Sequence, residues 1–287
     1  MTTLIRCLIH SHNKNGGIIL KNIDKITLAH SFHLNTRLSK ERLINWESIE
    51  AKNENINNNY ETDFYFLREY SLKTDDSIIN ENIIEAVENR KSLDKPTVRP
   101  LQDFELLSNL LFYSYGKRNK YQKRPVPSAG SKYPIDLYVY IFNVKDIEKG
   151  LYYYNTEKNT LQLVKVGDFR ESLMNAFTQP ELLQRSPFVV ISVANFMRTC
   201  AKYGDRGYKL VYLDLGHISQ NFYLLSSSMK LGCRAIFGFF DEKLNHMLSL
   251  GEDQDVVLSH VFGEEAQFME NILNLKRSDV LQEDNNE

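Results

Sequence analysis

Three cysteines, one tryptophan and seven prolines in 287 residues exclude several kinds of protein at once. Cys7, Cys200 and Cys233 are odd in number and widely scattered. They build neither a disulfide framework nor the paired spacing of a structural metal site, and they suit a reducing cytoplasm. Charge of one sign is equally scarce. With 35 Lys+Arg against 37 Asp+Glu the net charge is −2, so no global positive field exists to hold a nucleic-acid backbone or an anionic membrane. No apolar run approaches the roughly 20 residues that a membrane-spanning helix needs. The apolar start of the chain is broken by Arg6 and His10 and has no small-residue cleavage site, so it does not read as a signal peptide. Also missing are a G-x-S-x-G elbow, a Walker loop and a G-x-G-x-x-G turn, which removes the main sequence support for hydrolase, nucleotide-triphosphatase and Rossmann readings. His10 with His12 and His30 with His33 lack the Cys, Asp or Glu neighbours that would complete a four-ligand set.

What is present is an ordinary globular mixture, 42% hydrophobic and 25% charged, long enough for one large core or two modest ones. Residues 1–76 form an N-terminal region with a polar loop at 52–59, Lys-Asn-Glu-Asn-Ile-Asn-Asn-Asn. From Ser77 onward, 77–287, the patterns sharpen. Ile79, Ile83 and Val87 recur at helical spacing up to the basic pair Arg90-Lys91. Asp103 caps a helix striped by Phe104, Leu107, Leu110 and Leu111 and ended by Gly116. Ile135, Leu137, Val139 and Ile141 alternate along a strand. A hairpin follows at 151–155 and 160–166, then a helix from about 168 to 184 that starts at Asp168. The apolar run 187–196 reads as a buried central strand. A long helix is expected from about Gly207 to Lys230, a short strand at 233–240, a helix from Asp241 to Leu250, a last strand at 256–263 and a C-terminal helix. Strands and helices interleave without a βαβ rhythm, so the expected class is α+β.

Two segments carry candidate chemistry. Arg124-Pro-Val-Pro-Ser-Ala-Gly-Ser-Lys-Tyr-Pro134 precedes a strand and joins stiffening prolines to Ser128, Ala129 and Gly130, small enough for a backbone to approach a flat ligand. Taken alone, a tight turn explains it as well. Arg90-Lys91-Ser92 closes a helix and offers charge-assisted bonds to a phosphate, although a basic helix end is favourable on dipole grounds alone.

Their order with three further segments is distinctive. Arg90-x-Ser92, Pro-Ser-Ala-Gly-x-x-Tyr-Pro at 127–134, Lys202-Tyr203-x-x-Arg206-Gly-Tyr208, Asp214-x-Gly-His-x-x-Gln220-Asn221 and Gly238-Phe-x-Asp241 together resemble the SagB-type dehydrogenases. These are the thiazole/oxazole-forming branch of the nitroreductase-like FMN proteins. The resemblance covers roughly 77–263, with a weaker likeness at 31–39. It implies a mainly antiparallel sheet flanked by helices and an intertwined homodimer holding FMN at its interface. The implied activity is two-electron oxidation of thiazolines or oxazolines, installed on a precursor peptide by a partner cyclodehydratase, to aromatic azoles.

Carried over by position, Arg90 and Ser92 match the phosphate- and ribityl-binding element. Pro127, Ser128, Ala129 and Gly130 match the loop beside the isoalloxazine, and Gly238 matches the backbone near flavin N5 and O4. Relatives usually continue Arg-Ser-x-Arg where this chain has Asp94, with only Lys95 adjacent to supply charge. Lys202 and Tyr203 match the pair taken as catalytic. Aromatising an azoline removes a proton as well as a hydride, and a flavin accepts only the hydride, so a base is required. Lys202 suits that role when its proton is lost to desolvation or to a neighbouring cation such as Arg206, and Tyr203 relays the proton or orients the ring. In a chain without the other segments, both would read as exposed residues between a strand and a helix. Helix-face packing accounts for His217 and Asn221, and core or dimer packing for Trp46 and Tyr152 to Tyr154. Two rivals share the scaffold: an NAD(P)H-dependent nitroreductase or quinone reductase, against which the Lys202-Tyr203 pair speaks, and a flavin-free scaffold subunit, which the Asp94 departure keeps open.

Overall fold

The computed structural model describes residues 28–37, 65–79, 82–94, 96, 101, 103–118 and 123–264. The chain divides into two compact units, Met1–Glu47 and Ser48–Glu287. In the first unit the described element is helix α1, Leu28–Asn35, which carries His30 and His33. Trp46, the polar tract 52–59 and the expected C-terminal helix lie outside the described residues.

The second unit is built on one seven-stranded sheet. Its strands are β1 (Arg68–Ser71), β2 (Ile135–Ile141), β3 (Gly150–Asn155), β4 (Thr160–Val166), β5 (Phe188–Asn195), β6 (Gly232–Ile236) and β7 (Gln254–Gly263). They lie in the order β1-β4-β3-β2-β5-β7-β6, and each neighbouring pair is antiparallel. This is the α+β arrangement of a mainly antiparallel sheet with flanking helices that the sequence led us to expect. Strand β1 pairs with β4, so the boundary placed after residue 76 falls inside the second unit, beyond a strand of its sheet.

Side chains alternate across a strand, and here both faces are covered. Leu137, Val139 and Ile141 of β2 pack with Val190 of β5 and Phe262 of β7 against one set of helices. Tyr138 and Tyr140 of β2 pack with Val189 and Ile191 of β5 on the other face. The alternation of β2 therefore separates two dry cores, not a dry face from a wet one, and the continuous apolar run of β5 is the central strand that serves both.

On the first face lie α3 (Phe104–Tyr115) and α7 (Arg206–Ser228). Asp103 caps α3 by accepting from the Glu105 N–H, as its sequence suggests. Gly116 ends that helix because a Cβ would meet Phe112 and the Tyr154 hydroxyl at 2.7 Å. Helix α7 buries Val211, Leu215, Ile218 and Phe222 at a 3–4 spacing. Helix α2 (Ile83–Asn89) begins later than its apolar spacing suggests, because Asn82 and Glu85 form a reciprocal capping box there. Of its residues only Ala86 is buried, and Ile83, Ile84 and Val87 stand exposed.

The other face carries α4 (Arg170–Met174), α5 (Pro180–Arg185) and α8 (Asp241–Leu248). The single helix expected over 168–184 is two short ones. Pro180 starts the second, and between them Phe177 bridges to Phe239. Asp241 is the first residue of α8, with Phe240 in the cap position, and Ser249 ends the helix in the left-handed region. Helix α6 (Met197–Tyr203) occupies what the sequence suggested was a connection. Among the described residues no helix is long and apolar enough to cross a membrane.

Candidate active site

The segment 127–134 forms a strained loop at the entrance to β2. Gly130, Ser131 and Tyr133 all have positive φ, at 59°, 54° and 44°. Such conformations cost about 1–3 kcal/mol each for residues with a Cβ, so the loop must be held from outside. Asp214 of α7 does this. It accepts from Ser128 Oγ at 2.5 Å and from the Ala129 N–H. Ser128 Oγ in turn accepts the Tyr133 N–H at 2.8 Å. The Ser128 hydroxyl is thus committed inward, and what the loop presents outward is small side chains and backbone. Burial raises the pKa of the Asp214 carboxyl, against the opposing pull of these hydrogen bonds and of His217.

A second layer sits beneath the loop. Arg198 of α6 makes a bidentate pair with Asp136 of β2, at 2.9 and 2.7 Å, and donates to the Tyr133 carbonyl at 3.4 Å. Arg124 lies between the rings of Tyr115 and Tyr133, 4.3 and 4.8 Å from their centroids. Burial pushes the Tyr115 hydroxyl up to about 12, with Arg124 and Arg198 pulling against it, so Tyr115 stays protonated. None of these roles was legible in the sequence. The available signal was a charge, Asp136, inside an apolar strand, and another, Asp214, on the buried side of α7.

Lys202 and Tyr203 occupy the last turn of α6 and are half-buried, with Lys202 Nζ 5.6 Å from the Tyr203 ring centroid. Gly204 then turns the chain into α7 at φ 54° and ψ −151°, a region open to glycine. Tyr203 meets the loop directly: a Cβ on Gly130 would stand 2.7 Å from the Tyr203 hydroxyl. Two segments far apart in sequence are thereby brought into contact.

Arg90 and Ser92 are gathered elsewhere. Arg90 is the C-cap of α2, and Ser92 bridges Cys233 of β6 in parallel. Both surround Tyr223 of α7, whose ring lies 5.5 Å from the Arg90 guanidinium and whose hydroxyl is 3.5 Å from Ser92 Oγ. Asp94 is exposed, and Lys95 lies outside the described residues. Tyr223 and Asp214 are about two and a half helical turns apart, so the two clusters leave α7 on opposite sides. Gly238 joins neither. Its carbonyl accepts from Thr178 N–H and Oγ, at 2.9 and 3.0 Å, and a Cβ there would collide with the Thr178 hydroxyl. Exposed Phe237 and Phe240 flank it.

His217 is exposed, and Asn221 donates to the Ser114 carbonyl. Tyr152 to Tyr154 are core residues. Among the described residues no group of three or more His, Cys, Asp and Glu is placed to hold a metal ion.

Comparison with known proteins gives a consistent answer. A protein described as a nitroreductase in Methanocaldococcus jannaschii is 33% identical over 163 residues, covering 57% of this chain and 82% of the relative. The trifolitoxin-processing protein TfxB of Rhizobium leguminosarum bv. trifolii is 25% identical over 207 residues, 59% of this chain. The match spans about half of that protein's length, 55%. A chain of the E. coli microcin synthetase McbBCD complex with truncated pro-MccB17 shares the fold, with a TM-score of 0.56, 18% identity and coverage of 86% of this chain and 98% of that one. The Nitroreductase family model matches residues 81–264, which include the strained loop, helices α6 and α7 and the Arg90–Ser92 element, and the chain therefore belongs to the Nitroreductase family of oxidoreductases.

Proposed function

We propose that the protein is an FMN-dependent dehydrogenase that oxidises thiazolines or oxazolines of a precursor peptide to the aromatic azoles. It works in the cytoplasm as a homodimer beside the cyclodehydratase that installs the rings. The observation that carries this reading is the contact between Gly130 and Tyr203, which joins the two segments most distinctive of SagB-type dehydrogenases. The trifolitoxin-processing relative supports a peptide-modifying role.

The residues fit FMN. Gly130 leaves a space at the loop that a Cβ would fill, and the Arg90 guanidinium with the exposed Ser92 hydroxyl is a donor set suited to a phosphate ester. Because these two elements leave α7 on opposite sides, a complete site needs the loop of one protomer and the Arg90–Ser92 element of its partner. The exposed apolar residues Ile84 of α2 and Leu213 of α7 suit such an interface. FMN bound there would supply the hydride acceptor for the azoline ring. Lys202 Nζ takes the accompanying ring proton, and the Tyr203 hydroxyl, fixed against the loop, orients the ring. The Gly238 backbone, held by Thr178 apart from both clusters, would line the cofactor's edge as the resemblance implies.

The test is mass spectrometry of a precursor peptide treated with cyclodehydratase and then with this protein. Each azole formed lowers the mass by about 2 Da, the two hydrogens removed. Lys202→Ala and Tyr203→Phe are expected to keep FMN and lose azole formation by on the order of 10²–10⁴. Full azole formation in both variants would overturn the assignment. The nitroreductase relative favours a second reading, NAD(P)H-dependent reduction of small electrophiles. Rapid NAD(P)H oxidation with a nitroarene, together with no mass change on the peptide, would establish that one instead.

A further inference from the structure

Tyr223 has no part in the reading above, yet its contacts converge on the Arg90–Ser92 element. Its hydroxyl accepts the Ala235 N–H of β6 at 2.9 Å and lies 3.5 Å from Ser92 Oγ. The Arg90 guanidinium sits over its ring, 5.5 Å from the centroid. The backbone is fastened in the same place. Leu93 N–H donates to the Cys233 carbonyl at 2.8 Å, and Arg234 Nη1 donates to the Leu93 carbonyl at 3.3 Å. Leu93 is buried while Ser92 remains exposed, so the segment is anchored with its polar side open.

We propose that Tyr223 is the positioning residue that presets Arg90 and Ser92 for the phosphate of FMN, a proposal that rests on the FMN reading and deepens it. An arginine held over a ring and a serine held beside a phenol lose less freedom when an anion arrives than two unrestrained side chains would. That preorganisation matters because exposed, acidic Asp94 stands two residues beyond Ser92 and opposes an anion at the same element. Tyr223 touches the residues that hold the ligand and acts through them.

The test is titration of the full-length apoprotein with FMN and with riboflavin, which lacks the phosphate, followed by flavin fluorescence. Tyr223→Phe keeps the ring under Arg90 and removes the hydroxyl. It is expected to weaken FMN binding about 2- to 10-fold, the range of one hydrogen bond, with riboflavin affinity unchanged. Tyr223→Leu removes the ring as well and is expected to weaken FMN by roughly a further 2- to 5-fold. Equal losses for FMN and riboflavin would mean that Tyr223 only supports the fold, and overturn the proposal. So would an FMN preference over riboflavin kept intact in both variants. Wild-type protein that binds FMN no better than riboflavin would overturn the phosphate assignment of Arg90 and Ser92 itself, and the role of Tyr223 with it.

Discussion

Single residues carry the most direct tests. Gly130 sits at φ 59° with its missing Cβ aimed at the Tyr203 hydroxyl. Gly130→Ala is therefore expected to destabilise the protein by about 1–3 kcal/mol through backbone strain, with a further penalty from the clash. Tyr203→Phe removes the atom struck, so the double variant should recover the clash part of that loss. Strictly additive urea midpoints across the cycle would show that the two residues do not touch. His260 offers a test of pH dependence. It is buried, with Nε2 2.8 Å from Ser219 Oγ, and burial lowers its pKa from 6.5 to about 3. The unfolded chain binds a proton there that the folded chain refuses, so stability is fully present above about 6.5 and falls as the pH drops from there toward 3, by on the order of 1 kcal/mol per pH unit. His260→Leu should flatten that part of the profile, and an unchanged acid slope in its urea denaturation would contradict the assignment. The segments that hold the candidate residues stand out in the sequence because they are short and contiguous. Their supports do not: Asp214 stands out only as part of a segment, with nothing to pair it with Ser128, and Tyr223 reads as an ordinary position of a long helix.

At the scale of elements, α6 is tied to the sheet by a buried ion pair. Arg198 and Asp136 are almost completely buried, their side chains 11% and 5% exposed. Removing one partner leaves an uncompensated charge and should cost about 3–5 kcal/mol, whereas replacing both with apolar residues of similar size should cost far less. We expect Arg198→Met to lower the urea midpoint strongly, and Arg198→Met with Asp136→Leu to restore much of it. Equal losses in the single and double variants would show that packing, not charge, anchors α6. The sequence concealed this helix because its seven residues show no sustained apolar stripe and follow β5 after a single intervening residue. Short helices have weak local signals, and α6 forms because its arginine finds a carboxylate at the start of β2. The split into α4 and α5 has a similar origin: periodicity favours one helix, but Pro180 and the bridge from Phe177 to Phe239 interrupt it.

At the scale of the whole molecule, the proposed FMN site, with its two elements on opposite sides of α7, predicts two copies per working unit. Light scattering should give a mass of twice the chain. Leu213 is 60% exposed on α7, and on the proposed reading Leu213→Glu should both split the dimer and release the flavin. A monomeric variant that retained FMN with wild-type affinity would sink the shared site.

The sequence by itself determined the α+β class, most strands, both ends of α3, the extent of α7 and the segments that carry the candidate chemistry. Those features depend on side-chain period and capping, which act over one or two turns of chain. Only the tertiary structure decided how the segments are held. Arg198 meets Asp136 across 62 residues, Asp214 holds Ser128 across 86 and Tyr223 reaches Ser92 across 131. Such contacts follow from strand order and from the direction in which α7 crosses the sheet, and no local pattern encodes either.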